Sequence, residues 1–385
     1  MAALVVCSAG DLLAGLTLGY MTGTLERFPG LIVLVPAAIG MRGNIFGALG
    51  SRLGTAIHTG QYDGHLEKRN VAGQNVLASA ALTLLVSIAL AVLSKEVSRL
   101  FGVETIPLSY YVTVSVVGGL ISSVVVLIIT LGVARASVTR GWDMDNVAAP
   151  MVTAAGDVVT LPALWLATLL LHVGMTPQII SALSFAGAVA TAVYLWRNTE
   201  LPLFKAVVRQ SLVILTLAGL VDVVAGLTIE RRLEHFTAYP GLLVLIPAFL
   251  ADAGALGGIL SARLSSKLHL GSITPSRIPG LRSFEDIALT YTLALPMFFL
   301  LGVSATLLAK AVGLATPGMG AMVTLTLMAG FIVTSGAVFV AYYSAVISYH
   351  FGLDPDTYGI PAVTSSMDLL GAVALILSML FLGIA

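Results

Sequence analysis

The sequence predicts an all-α polytopic membrane protein: two parallel five-helix repeats plus one linking helix, about 11 transmembrane helices in total. Three observations predict this class. First, only 10% of the 385 residues are charged, against about 25% in a typical soluble domain. Hydrophobic residues make up 58% of the chain, and the mean hydropathy is +1.00. Second, apolar runs of spanning length follow one another through the whole chain, with no alternation of polarity that would suggest a β-barrel. Third, the two halves repeat one another.

The runs lie at about 2–24, 29–58, 71–93, 108–134, 146–171, 178–196, 211–229, 240–268, 287–309, 321–349 and 359–382. The second and eighth exceed a straight crossing and contain Pro and several Gly, which predicts a broken or strongly tilted helix in each. The start, MAALVVCSAGD, lacks the basic region of a secretory peptide, and no stretch is polar enough for a soluble domain. The 19 basic and 19 acidic residues cancel, so there is no basic face for nucleic acid. Cys7 is the single cysteine, which excludes a disulfide framework within the chain and a thiolate zinc site.

Residues 11–60 align with 222–271 at a constant offset of 211, with 19 identities over the 50 positions. Asp11-Leu-Leu-Ala-Gly-Leu-Thr17 faces Asp222-Val-Val-Ala-Gly-Leu-Thr228, and PGLIVLVPA from Pro29 faces PGLLVLIPA from Pro240. The same offset later pairs Asp143, Asp145, Pro150, Thr153 and Asp157 with Asp354, Asp356, Pro361, Thr364 and Asp368. The expected units are a first repeat at 1–172, a linking helix and loop at 173–209, and a second repeat at 210–385. Five crossings are odd, so directly joined halves would be inverted. The sixth crossing, which is free of charge until its Tyr194-Leu-Trp196-Arg197 end, makes them parallel. A pseudo-two-fold axis along the membrane normal follows. Were 178–196 re-entrant, the repeat would instead be inverted. Lys and Arg in the loops favour a cytoplasmic N-terminus, ten inside against six outside, which leaves the C-terminus outside.

Pro36-Ala-Ala-Ile-Gly-Met-Arg-Gly-Asn44, with Ser51-Arg-Leu53 and Thr59-Gly60 after it, resembles the second membrane helix of the MgtE magnesium-transporter family. Asp143-Met-Asp-Asn146 followed by Pro150-Met-Val-Thr153-Ala-Ala-Gly-Asp157 resembles that family's fifth helix, and Asp354-Pro-Asp-Thr357, Pro361-Ala-Val-Thr364 and Asp368 repeat it. Two such domains in one chain resemble the duplicated MgtE-like solute carriers, which have archaeal and eukaryotic members. The resemblance implies an integral protein of the cell membrane that acts as a single-chain pseudo-dimer. Its pore would lie at the interface of the halves, and Mg2+ would be the transported ion rather than an enzyme's cofactor. It also implies that Asp157 and Asp368 face hydrated Mg2+. Two departures stand out. The cytoplasmic regulatory domains of bacterial members are absent, and Met41-Arg-Gly-Asn44 becomes Asp252-Ala-Gly-Ala255 in the second half, so the family Asn stands only at Asn44.

Asp157 and Asp368 lie about ten residues into apolar spans, where a carboxylate is costly and points to function. The alternative is an aspartate that bonds a neighbouring helix. Two carboxylates beside water suit Mg2+, which sheds its own waters reluctantly. Thr153 and Thr364, four residues earlier on the same face, could line a pore or bond to the backbone. Pro150 and Pro361 are expected to open the straight part of their helices. Asp252 could be a further ligand or a partner for Arg42. Gly43 and its neighbours permit close backbone approach or simple helix packing. Asp11 and Asp222 read as a second ion site or, slightly better, as helix N-caps. Asp143, Asp145, Asp354 and Asp356 would concentrate cations at a cytoplasmic mouth or simply cap and be solvated. Arg52 and Arg263 should pair with acids or snorkel, while His58 and His269 read as interface residues rather than metal ligands. The expected function is channel-like Mg2+ transport by paired aspartates. Antiport against Na+ or H+ is the alternative. An intramembrane aspartyl enzyme is a remote third, because neither Ala155-Gly-Asp157 nor Ser366-Met-Asp368 has the Gly-x-Gly-Asp pattern.

Overall fold

The computed structural model describes residues 2–62, 66–140, 144–197, 200–352 and 359–384. Asp143, Asp354 and Asp356 lie outside the described residues, and so do the side chains of Asp145, Pro150 and Thr153. The described chain is helical: α1 (Ala2–Tyr20), α2 (Thr22–Arg27), α3 (Leu34–His58), α4 (Val71–Leu100), α5 (Leu108–Arg140), α6 (Met144–Thr168), α7 (Thr176–Arg197), α8 (Pro202–Glu230), α9 (Leu233–Ala238), α10 (Pro240–His269), α11 (Leu281–Ala311), α12 (Met319–Phe351) and α13 (Ile360–Phe381). Among the described residues, ten helices are long and apolar enough to cross a membrane. They correspond to the second through eleventh runs. The first run forms α1, a 19-residue apolar helix outside that set of ten. The sixth run is α7, 22 continuous residues with no helix break.

Helices satisfy every backbone group internally, as lipid requires. The Ser and Thr hydroxyls inside them are mostly satisfied in the same way, by donating to a carbonyl one turn back. Thr130 donates to Val126 at 2.8 Å, Thr160 to Gly156 at 2.6 Å, Ser184 to Ile180 at 2.7 Å and Thr334 to Gly330 at 2.7 Å.

The chain divides into two compact units, one of residues 1–23 with 224–385 and one of residues 24–223. The division falls inside α8. In the first-named unit α10 is the hub, packed by α1, α11, α12 and α13. Leu260, Leu264 and Leu268 of α10 meet Ala341, Tyr342 and Ala345 of α12 in a buried cluster, and the Tyr342 hydroxyl donates to the Ser276 carbonyl at 3.0 Å. In the other unit α3 packs against α4, α5 and α6, while α5 also carries α7. There Gln74 Oε1 accepts from the Leu203 and Phe204 backbone amides at 3.1 and 3.2 Å, which ties α8 to α4.

Several sequence expectations are corrected here. Of the broken or strongly tilted helix expected for each Pro- and Gly-containing run, the break is not found. α10 continues through Pro247 for 30 residues, and α3 runs unbroken for 25 after a single 3-10 turn at Leu31–Val33. Pro36 sits in the first turn of α3, where its missing N–H costs nothing. At Gly257 of α10 the space is filled from outside, by Val363 and Met367 of α13. Asp11 and Asp222 are not N-caps. Their helices begin at Ala2 and Pro202, so both aspartates lie well inside a helix and both are buried. α6 begins at Met144, which places Pro150 within the helix, whereas Pro361 does open α13.

A candidate cation site

Each unit brings a fifth-repeat helix against a second-repeat helix. In one unit α13 crosses α10, and a Cβ at Gly254 would be in ordinary contact with Thr364, 3.8 Å from its Cβ and 3.9 Å from its Cα. Gly254 is the repeat partner of Gly43. Thr364 is half-buried, and its hydroxyl donates to the Pro361 carbonyl at 3.2 Å. That is the backbone alternative of the two roles considered, although the oxygen keeps acceptor capacity. Asp368 lies one turn further on the same face and is half-buried. In the other unit α6 packs against α3, with the Cβ of Arg42 only 3.5 Å from the point where a Cβ on Gly156 would lie. Asp157 follows Gly156 directly and is 4% exposed. Asn44 and Gly43 on α3 are half-buried.

Asp252 is 2% exposed and belongs to a different cluster. Its Oδ1 accepts from the Ser8 hydroxyl at 2.6 Å, which joins α10 to α1. Two residues along an α-helix are about 200° apart, so Asp252 and Gly254 look out of opposite faces of α10. Asp252 faces α1, away from the Thr364–Asp368 face. Ser8 packs beside Asp252 and Gly15 beside Val244, so α1 and α10 run antiparallel and Asp11 falls about one turn from Asp252. Ser8 escaped the sequence reading because nothing in a serine near a terminus marks it as a carboxylate partner.

Arg52 and Arg263, matched by the repeat, part ways. Arg263 pairs with Asp286, Nη2 and Nε lying 2.8 and 2.9 Å from Oδ1, and Lys267 Nζ is 2.6 Å from Oδ2. Arg52 instead meets the Ser211 hydroxyl at 3.4 Å, because the repeat partner of Asp286 is Asn75. The role of Asp286 was missed from sequence. Its signal is that change, an uncharged residue becoming an acid one turn inside an apolar helix. Asp286→Asn, which copies the first repeat, is expected to cost about 1–2 kcal/mol in thermal unfolding, since Arg263 and Lys267 are partly exposed and the pair is screened. His269 Nδ1 lies 2.8 Å from the Ser265 carbonyl and its ring meets Tyr349 edge-on at 5.4 Å, an interface setting rather than a ligand set. Among the described residues no three His, Cys, Asp or Glu side chains converge on one point. The candidate cation ligands are therefore single carboxylates, with the Thr364 hydroxyl one turn from Asp368, and a lone carboxylate suits an ion that keeps much of its water.

The description MgtE, divalent cation transporter, matches residues 35–167 and 246–378. Both edges of these regions are separated by 211 residues, the offset of the internal repeat. Solute carrier family 41 member 3 of Rattus norvegicus is 25% identical over 394 residues, covering 96% of this chain and 85% of that protein. Solute carrier family 41 member 2 of Mus musculus and of Homo sapiens are each 28% identical over 380 residues, covering 91% of this chain and 64% of those proteins. No solved structure matches. The two matched regions contain α4, α5, α11 and α12 whole, most of α3, α6, α10 and α13, and all of Gly43, Asn44, Asp157, Gly254, Thr364 and Asp368, and the chain belongs to the MgtE family of divalent cation transporters.

Proposed function

We propose that the chain conducts Mg2+ across the membrane along a path to which each repeat contributes its fifth helix, with Asp157 and Asp368 recognising a largely hydrated ion. The observation that carries this reading is the placement of these two carboxylates. They occupy equivalent repeat positions well inside spanning helices, one buried and one half-buried. A carboxylate at such depth is retained for a reason beyond packing. Thr364, Asn44 and Gly43 supply neutral oxygens that hydrated Mg2+ accepts as outer partners. Thr153 and the acids Asp145 and Asp356 take the equivalent threonine and cytoplasmic-mouth positions in this reading. Asp252, Asp11 and Asp222 are assigned to secondary cation contacts away from the main path. The distribution of Lys and Arg among the loops supports a cytoplasmic N-terminus and an outer C-terminus, the cell membrane is the location in this reading, and α7 would supply the sixth crossing that lets the repeats run parallel as a pseudo-dimer. The partners are Mg2+, other divalent cations and the lipid bilayer.

Flux into proteoliposomes that enclose a Mg2+ indicator tests the mechanism. A channel-like path gives uptake that follows the Mg2+ gradient and the membrane potential, unchanged when Na+ or H+ gradients are collapsed. Uptake that requires an opposing Na+ or H+ gradient would replace this reading with coupled antiport.

A further inference from the structure

The two repeats fill one equivalent space in different ways. In the unit built on α10, a Cβ at Gly330 of α12 would collide with the ring of Phe298, and that ring packs on Phe249 with centroids 5.0 Å apart. The offset of 211 replaces Phe298 by Ser87, Phe249 by Ala38, Val333 by Ser122 and Ala253 by Arg42. Gly330 stays glycine, as Gly119. In the unit built on α3, a Cβ at Gly119 of α5 would collide with Nη2 of Arg42 and lie 2.7 Å from the Ser87 hydroxyl. The guanidinium has taken the place of the Phe298 ring. Two rings are lost, one guanidinium is gained, and three of the four changes are from apolar to polar.

Arg42 is 0% exposed. Its Nε donates to the Ser122 hydroxyl at 2.8 Å, and that hydroxyl in turn donates to the Gly118 carbonyl at 2.9 Å. Nη1 and Nη2 of Arg42 and the Ser87 hydroxyl are buried and have no hydrogen-bond partner among the described residues. One turn away, the Thr83 and Ser123 hydroxyls bond each other at 3.1 Å, and neither is bonded to Arg42. No described acidic side chain pairs with Arg42. A buried guanidinium with open donors carries a large desolvation cost unless a counter-charge meets it. Arg42 lies two positions from Asn44 on α3, about 200° around the helix, and its Cβ packs on the α6 side, 3.5 Å from where a Cβ on Gly156 would lie.

We propose that Arg42, Ser87 and Gly119 form an intramembrane binding site for a small monovalent anion, chloride by its chemistry, which accepts from the two terminal guanidinium nitrogens and the Ser87 hydroxyl. Gly119 is part of the site because a side chain there would collide with Nη2 of Arg42 and crowd the Ser87 hydroxyl, displacing both donors. The anion neutralises Arg42 and takes part of the volume given up by the two rings. The second repeat, with Phe298 and Ala253, has no such site.

Thermal unfolding of the purified full chain in detergent tests this, with sodium chloride or bromide compared against sodium gluconate at equal ionic strength. The wild-type Tm is expected to be higher in either halide by about 3 °C or more, because the halide binds the folded state alone. Ser87→Ala keeps the packing nearly intact and should reduce the shift. The double change Arg42→Ala with Ser87→Phe copies the second repeat and should abolish it. A wild-type Tm identical in halide and gluconate would mean that water occupies the niche and would overturn the proposal. So would a halide shift left undiminished by Ser87→Ala, a variant that decides the matter even if the double variant fails to fold.

Discussion

Alanine at Asp157 or at Asp368 is expected to lower Mg2+ flux in proteoliposomes by about 100-fold, and alanine at both to reduce it to the level of empty vesicles. The physical basis is the attraction between one carboxylate and a divalent ion. At about 4 Å and an effective dielectric of about 20, two unit charges attract by about 4 kcal/mol, and a divalent ion doubles this. The hydration shell and residual solvent remove a large part of it. Even a third of the total exceeds the 1.4 kcal/mol that makes a factor of ten in occupancy. Asparagine at either position keeps the volume and an acceptor oxygen but not the charge, so its flux should fall between wild type and alanine. Asn44→Ala should cost several-fold and no more, because a neutral amide offers an ion dipole rather than a charge, and the second repeat already has Ala255 at this level. Folding must be scored beside transport. Asp157 is buried, and a monodisperse elution profile shows that lost flux is not lost protein. Full flux from a monodisperse double alanine variant would sink the assignment of these two residues.

The legible part of this fold is the part the bilayer dictates. A span must be apolar and helical, so runs two through eleven became helices close to their expected limits, and the offset of 211 recurs in the two family-matched regions. The outcome of close packing was not legible. Gly254 and Gly257 read as sites of close backbone approach or of helix packing, and the choice rests on α13, whose side chains pack against that stretch of the continuous α10. Asp11 read as a cap because aspartate favours that place, but the nine residues before it, apolar or small, already form the helix, and α1 packs along α10. Asp252 could be marked as unusual from the repeat, whereas its partner Ser8 is 244 residues away and carries no local signal. The Arg42 niche is an intermediate case. The exchange of Phe298 for Ser87 was visible at the repeat offset, but its meaning depends on Arg42 and Gly330 or Gly119 meeting that position from two other helices.

Gly15→Ala should be among the most destabilising single methyl additions in the chain. Helices in lipid gain little from burying apolar surface against one another, so their association depends on close contact, often through small residues. α1 approaches α10 at Gly15, where a Cβ would collide with the Val244 carbonyl oxygen and lie 2.8 Å from its carbon. At Gly19, one turn on, a Cβ would lie 2.8 Å from a Leu314 methyl and 3.3 Å from the Pro240 carbonyl oxygen. A flexible side chain could yield at Gly19. The carbonyl at Gly15 belongs to a helix held on its other sides by α11, α12 and α13, so α1 must move instead. Overpacking of this kind costs about 1–3 kcal/mol where side chains can adjust, and the upper end applies where they cannot. Gly258→Ala, on α10 with nothing within 4 Å of the added methyl, is the control and should change stability by no more than about 0.5 kcal/mol. The loss at Gly15 also reaches Asp252. Displacing α1 withdraws the Ser8 hydroxyl, its 2.6 Å partner, and a buried carboxylate then loses a charge-assisted bond worth about 1.5–3 kcal/mol. Ser8→Ala removes that bond without moving the helix. Measured in thermal unfolding, Gly15→Ala should therefore be the more damaging of the two, and Ser8→Ala should cost less in the double variant than alone. Additive losses would show that α1 stays in place when Gly15 is filled, and an unchanged Tm for Gly15→Ala would show that this contact does not hold α1 to α10.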